Sequence, residues 1–381
     1  MPKAMVLTKQ GSPDNLEMRE YPEPQPGKGA IVADVKLCGV CGTDTHQVLG
    51  WIKIPMPHVI GHEWFGTVRE LGEGVSTDFL GKPLKKGDPI ATSIGISKQD
   101  WYARNIAGRE NISQGFEEVG ISMTHSADDP PHLWGGFAEQ VYLPEYFPVF
   151  KLPSDLEDNE MVLIEPMAVV TRAFKRAQMS QAGFTQVGAG TDPSQTVVVQ
   201  GMGPVGMCQT AVCNMFGPGN IIGIDPNADR LEKGEKLGCT ETINMSEVTD
   251  MEERVKKVKS LTDGVGADIV FEAAGHPETL EESFKLVRKG GTIVELGNAA
   301  STGKAQISPY KDICQKDIDI LGSFGYSALE YKTAMAALEK SRRMGLKLGM
   351  IVGEMQPLDT LPEQIRRQGE GAVPGRIAMR P

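Results

Sequence analysis

The amino-acid sequence predicts an α/β protein of two domains, a β-rich, barrel-like N-terminal domain and a doubly wound parallel sheet. Short apolar runs separated by Gly and Pro fill the first third of the chain, whereas strand runs alternate with helical stretches after about Glu165. A glycine-rich turn stands between one of these later strands and the next helix. The 381 residues are too many for one ordinary core and suit two.

The first domain is predicted from short strands. Residues 30–37 and 64–72 are β-rich runs, and the turn at 86–89 leads into another strand. Periodicity then disappears over 97–134, where polar residues dominate. Irregular segments of that length are uncommon inside compact domains and are often functional.

The chain after about Glu165 is predicted to alternate between helices and strands. Helical patterns cover 167–176, 207–216, 229–237 and 329–344. Strand patterns cover 196–200, 221–225, 267–272, 291–296 and 318–321, and a closing strand covers 375–379. Such alternation is typical of βαβ units on a parallel sheet. We therefore expect one domain over 1–165 together with 326–381, and the other over 166–325.

Composition and charge exclude several classes of function. Hydrophobic residues make up 40% of the chain, and 39 basic residues stand against 50 acidic ones. The net charge of −11 argues against nucleic acid and against an anionic membrane as partners. No apolar run reaches the roughly 18 residues of a membrane span, and the first residues resemble a strand rather than a signal peptide. We therefore expect a cytoplasmic protein.

The six cysteines favour reduced thiols or metal ligation over a disulfide framework, because they are few and mostly scattered. Cys38 and Cys41 form a C-x-x-C pair, but no thioredoxin-type context surrounds it. We expect Cys38 to end a strand as a small buried residue.

A nucleotide-binding pattern, G-x-G-x-x-G, is formed by Gly201, Met202, Gly203, Pro204, Val205 and Gly206. It follows an apolar strand and opens a helical run, as the motif requires. Gly201 permits the tight turn, Gly203 lets the backbone approach a pyrophosphate, and Gly206 lets helix and strand pack closely. The helix N-terminus adds amide donors for the phosphates.

The residues after this turn favour NAD in a Rossmann-type sheet. Asp225 ends the next strand, where a carboxylate accepts hydrogen bonds from a ribose diol and repels a 2′-phosphate. An ordinary exposed Asp beside a glycine turn is the simpler alternative, but strand, turn, helix and acid are all in register. Arg230 either braces the ribose or is a solvated helix charge.

Residues able to bind a metal lie in the first domain. Cys41 opens the run Cys-Gly-Thr-Asp-Thr-His, His62 and Glu63 stand together, and Glu165 follows much later. Thiolate, imidazole and carboxylate ligands suit zinc. Because they are far apart in sequence, they indicate a catalytic site assembled by the fold rather than a zinc finger. Three protein ligands would leave the fourth position open for water or substrate.

At this point the sequence resembles the zinc-dependent medium-chain dehydrogenase/reductase superfamily, and within it the sorbitol, threonine and glucose dehydrogenase branch. The order and spacing of six motifs carry the resemblance: Cys-Gly-Val-Cys-Gly-Thr-Asp at 38–44, Gly-His-Glu-x-x-Gly at 61–66, Lys-x-Gly-Asp at 85–88, Gly-Gly-Phe-Ala-Glu at 135–139, Glu-Pro-Met-Ala at 165–168, and the glycine turn with Asp225. It implies a GroES-like first domain, a Rossmann second domain, and a homodimer or homotetramer. It also implies an NAD-dependent alcohol dehydrogenase that oxidises a secondary alcohol (a polyol, sugar or cyclic alcohol) to its ketone.

The resemblance implies one catalytic zinc ion bound by Cys41 and His62. The third ligand is Glu63 or Glu165, or either through a bridging water. Zinc at such a site lowers the pKa of an alcohol toward about 7.

The resemblance also implies roles for three residues of the first motif. Asp44 would hold the zinc-bound imidazole. Thr43 would hydrogen-bond the substrate oxygen, and His46 would pass its proton to solvent through the cofactor ribose.

The sequence departs from many relatives in one respect. The stretch 97–113, which matches a lobe with four zinc-binding cysteines, contains no cysteine. We therefore expect no structural zinc. Two rival functions are a zinc-free quinone or enoyl reductase of the same fold and a non-catalytic NAD-binding protein. Both are disfavoured because the cysteine, the His-Glu pair, Thr43 and His46 are all present.

Overall fold

A computed structural model describes residues 1–96, 110–113, 115–121, 124–180, 191–371 and 373–381. Most of the cysteine-free stretch 97–113 and the connector at 181–190 lie outside these residues. The strands in chain order are β1 (Lys3–Leu7), β2 (Leu16–Glu20), β3 (Ile31–Gly39), β4 (His58–Val59), β5 (Glu63–Leu71), β6 (Pro89–Thr92), β7 (Gly95–Ile96), β8 (Phe116–Glu117), β9 (Gln140–Leu143), β10 (Val149–Lys151), β11 (Thr196–Gln200), β12 (Asn220–Asp225), β13 (Glu241–Asn244), β14 (Ala267–Glu272), β15 (Val287–Glu295), β16 (Asp319–Gly322), β17 (Val352–Pro357) and β18 (Arg376–Arg380). The α-helices are α1 (Gly42–Leu49), α2 (Asp158–Met161), α3 (Ile164–Ser180), α4 (Pro204–Phe216), α5 (Ala228–Leu237), α6 (Met251–Ser260), α7 (Pro277–Leu286), α8 (Ala328–Arg343) and α9 (Leu361–Gly369).

The first compact unit is β-rich and comprises Met1–Ala168, Gly325–Glu339 and Val352–Pro381. Its larger sheet has the order β10-β6-β5-β3-β18-β17 with β9 paired to β3, and a smaller sheet has the order β2-β1-β4. Among the described residues the larger sheet does not close into a ring. Trp64 and Phe137 lie in its buried core. Burying large aromatic side chains of this kind stabilises a β-rich unit most per residue.

The second unit, Val169–Phe324 with Lys340–Ile351, contains a six-stranded parallel sheet. The strand order is β13-β12-β11-β14-β15-β16, so the order along the chain reverses beside β11. Ligands of doubly wound sheets bind at the carboxyl ends of the strands at such a switch point. The predicted α/β fold class is therefore confirmed.

The sequence did not predict several of the shorter elements, which include strands such as β13 and β17 as well as helices. Helix α1 is one of them, because its run of Gly, Thr and Asp residues contains weak helix formers. By contrast, the strands predicted at 196–200 and 267–272 have the observed bounds of β11 and β14. A search of the described helices finds none that is long and apolar enough to cross a membrane.

Candidate functional site

Cys41 stands at the N-cap of α1, two residues after the last residue of β3. Its backbone N–H donates to Oδ2 of Asp44 at 2.8 Å, which closes the first turn of the helix. Sγ of Cys41 lies 3.7 Å from Oγ1 of Thr43. One helical turn therefore holds a predicted zinc ligand, the predicted substrate contact and the predicted partner of the histidine.

His62 follows a turn that requires glycine. Gly61 has a φ of +100°, and a Cβ there would lie 2.8 Å from the ring of Phe137. Nδ1 of His62 lies 3.2 Å from Oδ1 of Asp44, and both side chains are buried. Burial lowers the pKa of His62, but the charge of Asp44 and hydrogen bonds to Asp44 and Cys41 outweigh it, so the pKa lies well above its usual value. Because Nδ1 faces Asp44, Nε2 is left for a metal.

Cys41, His62 and Glu63 each bring one ligand atom into a group whose members lie within 4.8 Å of one another. This thiol, imidazole and carboxylate set has the chemistry of a catalytic zinc site. Glu165 is not in that group, although it is buried near it. Burial and then the negative charge of Glu63 raise the pKa of Glu165 well above its usual value.

Arg376 is a partner of this group that the sequence did not reveal. Its Nη2 lies 2.7 Å from Oε1 of Glu63, and both side chains are only 2% exposed. Nη1 of Arg376 donates to the carbonyl oxygen of Val40 at 2.8 Å, directly before Cys41. Arg376 therefore fixes Glu63 from β18, near the other end of the chain. No local pattern could have indicated this pairing, since it depends on β18 pairing with β3.

His46 lies on the last turn of α1 and stacks on Trp51, with ring centroids 5.0 Å apart. Burial lowers the pKa of His46, which favours the neutral imidazole near pH 7. Its Nδ1 is buried and has no hydrogen-bond partner within the part of the chain that the structure describes. A neutral ring with a free nitrogen is able to accept a proton.

In the second unit, the glycine turn between β11 and α4 has the geometry of a phosphate cradle. Gly201 has a φ of +83°, and a Cβ at Gly206 would lie 1.7 Å from the carbonyl oxygen of Gly201. A Cβ at Gly203 would meet no atom within 4 Å, so open space lies beside that backbone. Pro204 and Val205 form the first turn of α4. The turn therefore has the backbone geometry that would fit a pyrophosphate.

Asp225, at the end of β12, is only 2% exposed and accepts two backbone hydrogen bonds. The donors are Met202 at 2.7 Å and Asn227 at 2.8 Å, which tie the glycine turn to the start of α5. Nη1 of Arg230 lies 3.9 Å from Oδ2 of Asp225. Asp225 and Arg230 line a cavity of about 220 Å³ together with Gly201 and Gly203 of the turn and with Ala273, Ala274 and His276.

Glu272 is a buried carboxylate that the sequence did not single out, and two of its hydrogen-bond donors, Ala274 and Thr279, line this cavity. It ends β14 and accepts hydrogen bonds from the backbone of Ala274 at 2.9 Å and Gly275 at 3.0 Å, and from the Thr279 hydroxyl at 2.6 Å. Burial, followed by the charge of Glu295, raises the pKa of Glu272 to about 7. An acid at the end of an apolar strand was the signal that could have identified it.

Comparison with known proteins decides the family. Residues 27–154 match the profile of the alcohol dehydrogenase GroES-like domain, and residues 204–340 match that of the zinc-binding dehydrogenases. D-xylulose reductase A of Aspergillus oryzae is 31% identical over 80% of this chain and 77% of its own. The chain belongs to the zinc-type medium-chain dehydrogenase/reductase family. This confirms the family and the oxidoreductase class that the motifs predicted, and it supports zinc and NAD as the cofactors.

Other members of this family extend the similarity over the whole chain. The 5-exo-hydroxycamphor dehydrogenase of Pseudomonas putida is 31% identical over 87% of this chain and 86% of its own. A crystal structure of an alcohol dehydrogenase from Thermotoga maritima has a TM-score of 0.88 at 26% identity and covers 100% of this chain and 99% of its own. That of 2R,3R-butanediol dehydrogenase from Bacillus subtilis has a TM-score of 0.78 at 25% identity and covers 100% of both chains.

Proposed function

We propose that this protein oxidises a secondary alcohol (a polyol, sugar or cyclic alcohol) to its ketone, with NAD as the hydride acceptor and one catalytic zinc ion. The observation that carries the proposal is the group formed by Cys41, His62 and Glu63 within 4.8 Å. The substrates named for the relatives support the alcohol class: one reduces xylulose, and two others are dehydrogenases of hydroxycamphor and of butanediol.

Cys41 and His62 would hold the zinc ion, with Glu63 as the third ligand. The 4.8 Å group supports Glu63, and the pairing with Arg376 holds its carboxylate in one orientation. Glu165 remains the alternative ligand, because its carboxyl lies close enough to feel the charges of Glu63 and His62. Asp44 orients the imidazole through Nδ1.

When bound, zinc supplies a Lewis acid for the alcohol oxygen and NAD supplies the hydride acceptor. The protein's own residues then handle the proton. Thr43 would accept the alcohol proton at Oγ1 and give up its own hydroxyl proton in the same step. The imidazole of His46, whose neutral form burial favours, would take up a proton and release it to solvent. Trp51 stacks on this ring and limits its rotation.

In the second unit, the glycine turn would bind the pyrophosphate, and Asp225 would accept hydrogen bonds from the ribose diol. Each carboxylate oxygen of Asp225 accepts one backbone hydrogen bond and keeps a second lone pair for a hydroxyl. The negative charge of Asp225 favours NAD over NADP. Arg230, at 3.9 Å, would balance that charge.

The test is NADH formation from a panel of secondary alcohols, polyols, sugars and cyclic alcohols. Purified enzyme, chelator-treated enzyme and treated enzyme with zinc restored would be compared, with NADP as a parallel cofactor. We expect activity with NAD that disappears on chelation and returns with zinc. Full activity after complete metal removal would reject the zinc mechanism in favour of a zinc-free reductase.

We also propose that the protein is a homodimer or homotetramer. Strand β16 ends the parallel sheet, and its Ile320 is 42% exposed, while Phe324 just beyond it is 62% exposed. An exposed edge strand with apolar side chains is a ready site for pairing with a second copy. Light scattering would give a mass of two or four chains, and Ile320→Lys would lower it. A monomeric wild-type protein would contradict this proposal.

We further propose a reducing compartment, the cytoplasm. The proposed ligand Cys41 must remain a thiolate, and none of the six cysteines forms a disulfide. A redox-sensitive fluorescent fusion would test this location, with signal from an oxidising compartment as the contrary result.

A further inference from the structure

The loop between β14 and α7, residues 273–276, forms part of the wall of the cavity in the second unit. Ala273, Ala274 and His276 of this loop line the cavity of about 220 Å³. Gly203 of the glycine turn and Asp225 line the same cavity. A ligand that fills the cavity would therefore contact the 273–276 loop as well as the residues proposed for the pyrophosphate and the ribose.

The carboxyl group of Glu272 holds this loop in place. Glu272 is fully buried at the end of β14, and its Oε1 accepts the backbone N–H groups of Ala274 at 2.9 Å and Gly275 at 3.0 Å. The same oxygen accepts the hydroxyl of Thr279, in the first turn of α7, at 2.6 Å. Because Ala274 and Thr279 both line the cavity, the position of this carboxyl determines the position of that part of the wall.

The turn after β15 packs against the same carboxyl. A Cβ at Gly297 would lie 2.5 Å from Oε2 of Glu272 and 2.5 Å from the backbone nitrogen of Gly275. Gly275 has a φ of +77°, and a Cβ there would lie 2.5 Å from the carbonyl oxygen of Gly297. The 273–276 loop, the turn and the carboxyl are therefore packed together without space for another side chain.

A second carboxyl group, that of Glu295, lies beside Glu272. The two residues are register partners at the ends of the parallel strands β14 and β15. Nδ2 of Asn298 lies 3.1 Å from Oε1 of Glu295 and 3.5 Å from Oε2 of Glu272, so this amide bridges the two carboxyl groups. Burial and then the charge of Glu295 raise the pKa of Glu272 to about 7. The pair therefore holds one proton below neutral pH and loses it above.

Other elements packed against Glu272 contribute three further polar or charged groups. Gln200, its register partner on β11, is neutral. Glu282 on α7 is paired with Arg254, whose Nε lies 2.7 Å from Oε1 of Glu282. His276, at the N-cap of α7, is exposed and lines the cavity. Because His276 can also titrate, only a comparison of the wild type with a Glu272 variant isolates the effect of the carboxyl.

We propose that Glu272 is a positioning residue for NAD, because its carboxyl holds the 273–276 loop in the conformation that binds the adenosine half of the cofactor. The adenosine half is indicated because Asp225 and Arg230, proposed for the ribose, line the same cavity. This inference rests on the proposed function, since it requires NAD at the glycine turn. A wall that is already ordered costs no ordering free energy when the cofactor binds. Without the carboxyl, two backbone N–H groups of the loop lose their acceptor.

The experiment measures the Kd of NADH by fluorescence titration and that of ADP-ribose by competition, on folded wild type and variants. We expect Glu272→Leu to weaken both ligands about tenfold, because the loop loses its acceptor. Glu272→Gln should bind like wild type at pH 6, since the amide oxygen accepts the same three hydrogen bonds.

Asp268→Asn is the matched control on the same strand. Asp268 lies near the start of β14, at the opposite end from Glu272, and accepts the backbone N–H of Thr196 and Nε of Arg288, each at 2.7 Å. Its replacement should lower stability without changing the Kd of NADH.

The pH profile is the result that a merely structural role would not produce. Between pH 6 and pH 8 the wild type loses the proton of the Glu272 and Glu295 pair, which adds negative charge beside the site of an anionic cofactor. Glu272→Gln gains no such charge, and His276 is present in both proteins. The ratio of the wild-type Kd to the Glu272→Gln Kd should therefore rise about threefold over this range.

The outcomes separate this inference from the proposed function. Wild-type protein that binds neither NADH nor ADP-ribose would reject NAD as the cofactor, and the inference with it. A wild type that binds NADH would overturn the role of Glu272 alone if Glu272→Leu binds both ligands as tightly, or if Asp268→Asn is weakened equally. If Glu272→Leu does not fold, the pH profiles decide: a ratio that rises supports the inference, and parallel profiles of wild type and Glu272→Gln overturn it.

Discussion

In the second unit, the proposed nucleotide turn is formed by backbone groups of consecutive elements and includes Gly201, Gly206 and Asp225. In the first unit, Cys41, His62 and Arg376 reach the proposed zinc site from a helix cap, a turn and the last strand. A turn formed by backbone groups accommodates an added side chain where space is open. It is destabilised where the added side chain would meet another backbone segment. A site made of side chains depends on each ligand individually.

The largest expected effect is that of Cys41→Ser. Loss of the thiolate should remove zinc and lower kcat/KM about a thousandfold or more, because a Lewis acid is worth several kcal/mol to the transition state. NADH affinity should be unchanged, since the glycine turn does not depend on this residue. Metal analysis, kinetics and NADH fluorescence titration measure the three quantities.

Cys314→Ser is the control for this change, because Cys314 is exposed and far along the chain from the ligand group. It should keep both zinc and activity. A Cys41→Ser protein with a full zinc content would show that the side-chain site does not depend on Cys41.

The second prediction compares substitutions at two glycines of the proposed nucleotide turn. Gly206→Ala should destabilise the fold by about 3 kcal/mol, because its Cβ would lie 1.7 Å from a carbonyl oxygen. Gly203→Ala should leave stability unchanged, since nothing lies within 4 Å, and weaken NADH binding about tenfold or more by filling the phosphate space. Urea unfolding and NADH titration of both variants, each with unchanged zinc content, would check this. Equal effects of the two substitutions on stability would contradict the turn geometry.

The third prediction concerns pH and the second unit. Burial raises the pKa of Glu272 from 4.5 to about 7, so its contribution to stability is complete below pH 4.5 and is lost as pH rises through about 7. The loss is about 3 kcal/mol. Glu272→Gln should remove this pH-dependent loss of stability, because the amide does not ionise. The variant should therefore gain stability relative to wild type as pH rises from about 5 to about 8. Urea unfolding across that range is the measurement, and parallel pH curves would contradict the prediction.

The fourth prediction is the opposite pH effect in the first unit. His58 is fully buried on β4, and burial lowers its pKa from 6.5 to about 4. Its contribution to stability is present above pH 6.5 and is lost as pH falls toward about 4, by about 3 kcal/mol in total. His58→Phe keeps a ring and cannot titrate, so it should resist acid better than wild type. Identical acid sensitivity would show that His58 is not responsible.

The same contrast explains how far the sequence could predict the molecule. The strand before the glycine turn and the position of Asp225 follow from local patterns, because a turn, its strand and its helix are adjacent in sequence. Helix α1 was not predicted because tertiary contacts, rather than helix propensity, stabilise the helical conformation of its Gly and Thr residues. Arg376 was not predicted because nothing local distinguishes it from an ordinary charged residue. Only the pairing of β18 with β3 brings Arg376 to the site.

The choice between Glu63 and Glu165 shows the same limit. The sequence supports both carboxylates, whereas the 4.8 Å group contains Glu63. Separate Glu63→Gln and Glu165→Gln variants, compared by zinc affinity, would refine this part of the site.

Zinc-edge X-ray absorption on the purified protein tests the central claim most directly. We expect one zinc ion per chain with a single sulfur ligand at about 2.3 Å and nitrogen or oxygen ligands at about 2.0–2.1 Å. The sulfur contribution should vanish in Cys41→Ser and persist in Cys314→Ser. Absence of zinc, or a sulfur shell that survives in Cys41→Ser, would contradict the account.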